Sequence, residues 1–414
     1  MHTKKILGTM AVVTTLAVSL IGCGSVSAAE DVTEIEFFSQ KKEMQTTLRA
    51  IIQDFEEVHP EIRVKFTNVP DPGVVLKTRI ASGDAPDVIN VFPQNADFQE
   101  WAKAGMFEDL TSASYLSNLE AGAAESYAIE DKVYSVPLTS NAWGFFYNKT
   151  AFAEMGLEVP KTWAEFETLV QAIQSKEKAP FAASLTTADA WTLNGYHQLA
   201  WATVTGGFSQ ANDALVRSGK DGISLKNQDM QQVVERLDLL RGTAQKNANG
   251  ATYNDAVAAF AAGDALIFPN GTWALPAVQS QNPDFEIGMF PFPGVNEGEA
   301  MTVGAADLAL SISANSKAKD AAQTFVEYMT SKEAMQKYYD IDGSPTSVIA
   351  VETDGKFEEM AGVTDLVFTE RQIIWLQKEW TSEETFHHLT VDYVNNGEQQ
   401  QLVDKLNAFF NTMK

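Results

Sequence analysis

The chain has 414 residues, of which 45% are hydrophobic and 10% aromatic, enough for a large core divided between about two domains. Its 55 acidic and 30 basic side chains give a formal charge of −25, and its only Lys-Lys pairs are Lys4-Lys5 and Lys41-Lys42, so no nucleic acid partner is expected. The single cysteine, Cys23, excludes intramolecular disulfides, thiolate zinc sites and iron–sulfur ligand sets.

Lys4 and Lys5 precede an apolar stretch from Ile6 to Ile21, too short to span a bilayer and placed as an export signal. It ends in Leu20-Ile21-Gly22-Cys23, which resembles the lipobox of bacterial lipoproteins, where the signal is cut before an acylated cysteine. Residues 1–22 are then a signal peptide, and Cys23 is the expected lipidation site. An ordinary signal peptide cut near Ser25 to Ala28 is the alternative. Cleavage before Cys23 removes Lys4 and Lys5 and moves the charge from −25 to −27. Residues 23–31 are small and polar and read as a tether.

Beyond the tether, Ile35, Phe37 and Phe38 predict a buried strand, and Leu48, Ile51, Ile52 and Phe55 a helix stopped by Pro60. Ile62, Val64 and Phe66 alternate as a strand, Val74 to Ala81 reads as a helix, and Asp87 to Val91 as a third strand. Strands alternating with helices imply a parallel sheet, whose ligand would sit at the loops Ser39 to Lys42, Val69 to Gly73 and Phe92 to Asn95. A second α/β region is expected from Val136. It contains a capping box at Thr162 to Glu165, a helix over Ala256 to Ala262, and strands over Ala265 to Phe268 and Leu308 to Ile312. The tail is expected to be mainly helical, over Ala321 to Tyr339, Arg371 to Glu379 and Leu402 to Phe410.

Phosphate loops, dinucleotide fingerprints, nucleophile elbows and zinc-protease motifs do not occur. The five histidines are unsuited to metal binding, and Asp340-Ile341-Asp342-Gly343 lacks the spacing and closing glutamate of a calcium loop, so it is read as a turn. No metal and no cofactor is expected. The informative feature is the pairing of tryptophans with short polar groups: Asn141 with Trp143, Asp189 with Trp191, and Asn270 near Trp273. Sugar rings offer an apolar face to flat aromatics, and their hydroxyls need fixed donors and acceptors. Trp143, Trp191, Trp273 and Trp375 are placed in a binding site, and Trp101 and Trp163 in the core.

Several stretches together resemble the extracellular solute-binding proteins that deliver sugars to ABC transporters. They are Leu76 to Val88 (LKTRIASGDAPDV), Pro160 to Phe166, Phe260 to Asp264 with Asn270-Gly271-Thr272-Trp273, and Phe325 to Tyr328. Ser39 to Met44, Ala188 to Tyr196 and Asp340 to Thr346 resemble the raffinose and multiple-sugar binding lipoproteins of Gram-positive bacteria. The resemblance implies a periplasmic-binding-protein-like α/β fold, with two α/β lobes, an interlobe ligand cleft and hinge crossings. Lobe 1 would comprise 32–139 and 291–343, and lobe 2 would comprise 140–290 and 344–414. Crossings are expected near Thr139 to Ala142, Phe290 to Pro293 and Gly343 to Thr346. The resemblance assigns Gln40, Lys41, Gln94 and Asp307 to the first wall of the cleft. Asp189, Trp191, Trp273 and Trp375 form the opposing wall, with Asn141 and Trp143 at the hinge and Gln372 nearby. It implies a non-catalytic monomer that is lipid-anchored on the outer face of the cytoplasmic membrane. Such a protein would hand raffinose-type α-galactosides or α-1,6-glucosides to ABC permease subunits. A surface glycoside hydrolase and a binding protein for a non-sugar solute remain the alternatives.

Overall fold

The computed structural model describes residues 32–353, 355–367 and 369–413; Cys23, the signal and the tether lie outside them. The strands are β1 (Thr33–Phe38), β2 (Ile62–Thr67), β3 (Val88–Val91), β4 (Val136–Pro137), β5 (Trp143–Asn148), β6 (Ala179–Phe181), β7 (Ala265–Gly271), β8 (Ile287–Phe290), β9 (Thr302–Gly304), β10 (Ala309–Ile312) and β11 (Gln372–Ile374).

They form two main sheets, one per lobe. The first has the order β2-β1-β3-β10-β4, with β1 parallel to both β2 and β3. The alternating Ile62, Val64 and Phe66, the buried Ile35, Phe37 and Phe38 of β1 and the fully buried β3 fit a sheet covered on both sides by helices such as Gln45–Val58 and Pro72–Ala81. The expectation of a parallel sheet holds for these three strands. β10 then enters antiparallel to β3, and β4 pairs with β10, so Val136-Pro137 belongs to the first sheet rather than opening a second region. The second sheet has the order β6-β7-β5-β8. Its aromatic core joins Phe145, Phe166, Phe181, Phe290 and Phe292. β9 and β11 pair separately, in parallel.

Core membership moves two of the expected crossings. Phe292 stacks on Trp163 at 5.3 Å and packs with Met301, Val303 and Ala305 in the second-lobe core, whereas Ala306, Leu308 and Ala309 pack in the first lobe. The chain therefore returns to the first lobe at Ala305-Ala306 instead of Phe290 to Pro293. Val348 still packs in the first lobe, and Met360 in the second, so the third exchange follows Val348 rather than Thr346. At Thr139 to Ala142, Leu138 packs in the first core and Ala142 in the second.

Local signals explain other differences. Arg371 to Glu379 is not a helix but β11 followed by a 3-10 turn, Leu376–Glu379, because pairing with β9 overrides its propensity. The helix expected over Ala321 to Tyr339 is two helices, Lys319–Met329 and Lys332–Asp342, restarted by Ser331, whose hydroxyl accepts from the Ala334 amide. Asp340 to Gly343 is the end of that second helix, with Gly343 at φ +66°, a left-handed value that suits glycine. Thr162 caps its helix as expected, but the Glu165 carboxylate accepts from the Lys161 amide at 2.7 Å, one residue beyond a closed box. The complete capping box is at Thr252 and Asp255.

Candidate functional site

β1 runs into the loop that carries Gln40 and Lys41, and β10 starts just after Asp307, so the strand ends of the first sheet bring these side chains together. Lys41 Nζ lies 2.5 Å from Asp307 Oδ2 and 2.5 Å from Glu43 Oε1. The second Asp307 oxygen accepts from Asn141 Nδ2 at 3.3 Å, and Asn141 Oδ1 accepts from the Ala305 amide at 3.0 Å. Lys41, Asn141 and Asp307 are all buried, and together they tie the loop after β1 to two hinge crossings. Burial works against the Lys41 charge, but the Asp307 and Glu43 carboxylates outweigh it and hold its pKa well above the ordinary value.

Behind this seam lies Asp342, fully buried and next to Ser344. Burial lifts its carboxyl to about 6; Lys41 opposes the rise and Asp307 adds to it. Ser344 and Thr272 exchange a hydroxyl contact at 3.2 Å across the crossing.

The second lobe faces this seam. Asp189 Oδ2 accepts from the Tyr253 amide at 2.7 Å, and the half-exposed Trp191 ring lies 5.2 Å from the Tyr253 ring. The Tyr253 hydroxyl is pushed well up, first by burial and then by Glu43, with Lys41 opposing and Asp189 adding, which sets first-lobe charges beside a second-lobe side chain. Trp273 and Trp375 form a neighbouring aromatic pair, 6.5 Å apart and inclined by 43°. The buried Nε1 of Trp273 and Nδ2 of Asn270 have no hydrogen-bond partner among the described residues. Such groups suit a ligand with hydroxyls to offer.

The remaining candidates divide. Gln40 Nε2 donates to the Asn90 carbonyl at 2.9 Å, and its side chain lines a cavity of about 120 Å³ with Phe92 and Asn95, at two of the loops expected to bind ligand. Gln94 is buried, donates weakly to the Ala306 carbonyl at 3.4 Å and keeps a buried, unpartnered Oε1. Trp143 does not face the cleft. Its ring is fully buried, 5.5 Å from Phe145 and 6.2 Å from Tyr196, and a Cβ on Gly195 would come within 2.3 Å of its Cγ. It is core, set there because β5 pairs on both sides and aims alternate residues inward. Gln372 donates to Ser140 Oγ at 3.1 Å and to the Asn141 carbonyl at 3.2 Å. Neighbouring side chains on an extended segment point oppositely, so Gln372 meets the Ser140 face of the crossing, away from the Asn141–Asp307 contact. Glu43, Tyr253 and Asp342 were not singled out from the sequence. The capping box at Thr252 marks where Tyr253 starts its helix, but nothing local announces that Asp189 caps that amide from 64 residues away.

Among the described residues no group of three or more metal-ligating side chains occurs, and no helix is long and apolar enough to cross a membrane.

Comparison with known proteins agrees with this architecture. The family model for bacterial extracellular solute-binding proteins matches residues 39–336. The multiple sugar-binding protein of Streptococcus mutans is 50% identical over 99% of this chain and 98% of its own length. The structure described as the solute-binding protein RafE in complex with raffinose is 52% identical, covers 92% of this chain and 100% of its own, and has a TM-score of 0.90. The apo form of RafE from Streptococcus pneumoniae, equally identical and covering 93% of this chain and 98% of its own, has a TM-score of 0.82. By this measure the whole chain is more similar to the raffinose complex than to the apo form. The chain belongs to the family of bacterial extracellular solute-binding proteins.

Proposed function

We propose that the chain captures raffinose-type α-galactosides or related α-1,6-glucosides between its lobes and delivers them to an ABC transporter permease. The carrying observation is the buried Lys41–Asp307–Asn141 seam at the hinge, together with the Trp191–Tyr253 and Trp273–Trp375 aromatic pairs of the second lobe. A neutral sugar meets fixed charge-assisted acceptors and donors on one side and flat apolar faces on the other. The multiple sugar-binding and raffinose-bound relatives support this choice of ligand.

The function is binding without catalysis. Asp307 is engaged on both oxygens, by Lys41 and Asn141, which suits an acceptor of sugar hydroxyls rather than a proton donor to a glycosidic oxygen. Lobe 1 carries the Lys41 side and lobe 2 the Trp191 side, and closure is driven by contacts a sugar makes with both at once. The protein acts as a monomer, held through lipidated Cys23 on the outer face of the cytoplasmic membrane of a Gram-positive cell. A surplus of negative charge is no obstacle to an uncharged cargo.

Calorimetry with raffinose, stachyose, melibiose, panose and isomaltotriose tests the reading: at least one should bind one-to-one, and failure of all five would sink it. Incubation with raffinose should release no galactose; release would favour the hydrolase. A Cys23→Ala chain should appear in the medium instead of the membrane fraction.

A further inference from the structure

The lobes meet at a second place, away from the Lys41–Asp307 seam. Helix Glu383–Asn396 of the second lobe begins with a carboxylate turned toward the first lobe, where Asn95 Nδ2 donates to Glu383 Oε1 at 3.2 Å. Glu383 closes off the cavity of about 120 Å³ whose other walls, including Gln40, Gly73, Leu76 and Trp101, all come from the first lobe. Space of this size admits a few waters.

Among the described residues, three charged groups act on Glu383. Lys77 and Asp97 line the same cavity from two first-lobe helices, paired at 3.1 Å, and Glu384 follows on its own helix. Among the described residues no other side chain lining the cavity is ionisable.

We propose that Glu383 is a positioning residue for closure: a second-lobe carboxyl that enters the first lobe against Asn95 and Asp97 as the cleft shuts over its sugar. This rests on the sugar-binding reading for its ligand, but the clasp is a property of the lobes themselves. When the lobes separate, Asn95, Asp97, Lys77 and the cavity wall leave, and the carboxyl returns to water.

Closure is thereby linked to a proton. In the closed arrangement burial lifts the Glu383 carboxyl to about 7, with Asp97 adding and Lys77 opposing. In water a glutamate titrates near ~4.3. The closed form thus holds the proton more tightly, and closure strengthens as pH falls from about 7 toward about 5, by at most about tenfold per pH unit. Above pH 7 the carboxylate is charged in both forms, and its desolvation opposes closure by a constant amount.

Two readouts test this. Small-angle X-ray scattering of the sugar-free protein should show a smaller radius of gyration at pH 5.5 than at pH 8, a difference that Glu383→Gln abolishes by keeping the shape without the charge. Raffinose calorimetry in two buffers of different ionisation enthalpy should show uptake of a fraction of a proton, rising toward one, near pH 6 in the natural protein and none in Glu383→Gln. If raffinose binds with the same proton uptake in both proteins, or compaction is pH-independent in both, the clasp is overturned. If raffinose fails to bind while the pH-dependent compaction persists and vanishes in Glu383→Gln, the clasp stands and the choice of sugar fails.

Discussion

Replacing Asp307 by Asn keeps the shape of the side chain and removes its charge, which makes it a clean probe of the hinge seam. Lys41 and Asp307 are 4% and 5% exposed, so solvent screens neither charge. Removing one member of a buried ion pair costs about 3–5 kcal/mol, since the other is left desolvated. Glu43, also 2.5 Å from Lys41 and only partly covered, remains as a second partner, which sets the expectation at the low end, about 3 kcal/mol. At roughly 2–4 °C per kcal/mol for a unit of this size, the melting temperature should fall by about 6–12 °C. Urea unfolding at pH 7 measures the loss directly. A double variant, Lys41→Met with Asp307→Leu, should recover much of the stability because both buried charges leave together and only the partly exposed Glu43 loses a partner, while sugar binding should not return. A loss below about 1 kcal/mol in Asp307→Asn, or full stability in Lys41→Met alone, would refute the claim that these charges hold one another.

Other expectations separate cleft from core. Trp191→Ala should change stability by under about 1 kcal/mol, because the ring is 40% exposed, yet weaken sugar binding by about 1–3 kcal/mol through the lost stacking face; unchanged affinity would return it to a structural role. Trp143→Ala should do the reverse, costing about 3–5 kcal/mol of stability while the folded fraction binds as before. His197 and His387 are buried and neutral, each held down to about 3, His197 by burial and then His387, and His387 by burial and then His388. Below pH 6.5 the unfolded chain protonates them and the folded chain does not, so each costs about 1.4 kcal/mol of stability per pH unit between 6.5 and 3. Asp342 and Glu383, with raised pKa values of about 6 and about 7, take up protons in the folded state and offset part of this as the pH falls from about 7 to about 4. His197→Phe should therefore flatten the acid side of the stability curve by about 1.4 kcal/mol per pH unit, and an unchanged slope would contradict the neutral assignment.

The order of strands and helices up to Val91 could be read from periodicity, because each element there buries a face of its own: Ile35 and Phe37 in β1, Leu48 and Ile51 in the next helix. The crossings could not. Phe292 is an ordinary loop phenylalanine in the sequence, and only its stacking on Trp163 decides which lobe it joins. Likewise β11 exists because β9 lies beside it, 68 residues or more earlier in the chain, so a local helical pattern misled. In the site, Asp189, Trp191 and Asp307 were visible as polar or aromatic residues in well-matched stretches. Trp143 showed the limit of that logic: a tryptophan beside an asparagine looks the same whether β5 turns it toward the cleft or the core. Glu383 was invisible because an acidic residue at a helix start has a sufficient local explanation, and its contact with Asn95 joins residues 288 apart.

The central claim is that the lobes close on a sugar, and small-angle scattering across a raffinose titration at pH 7 tests it most directly. The account predicts a saturable fall in the radius of gyration that ends at one sugar per protein and is lost in Trp191→Ala at the same sugar concentration. Raffinose that binds without any compaction, or a radius that never changes with any of the five oligosaccharides, would contradict it.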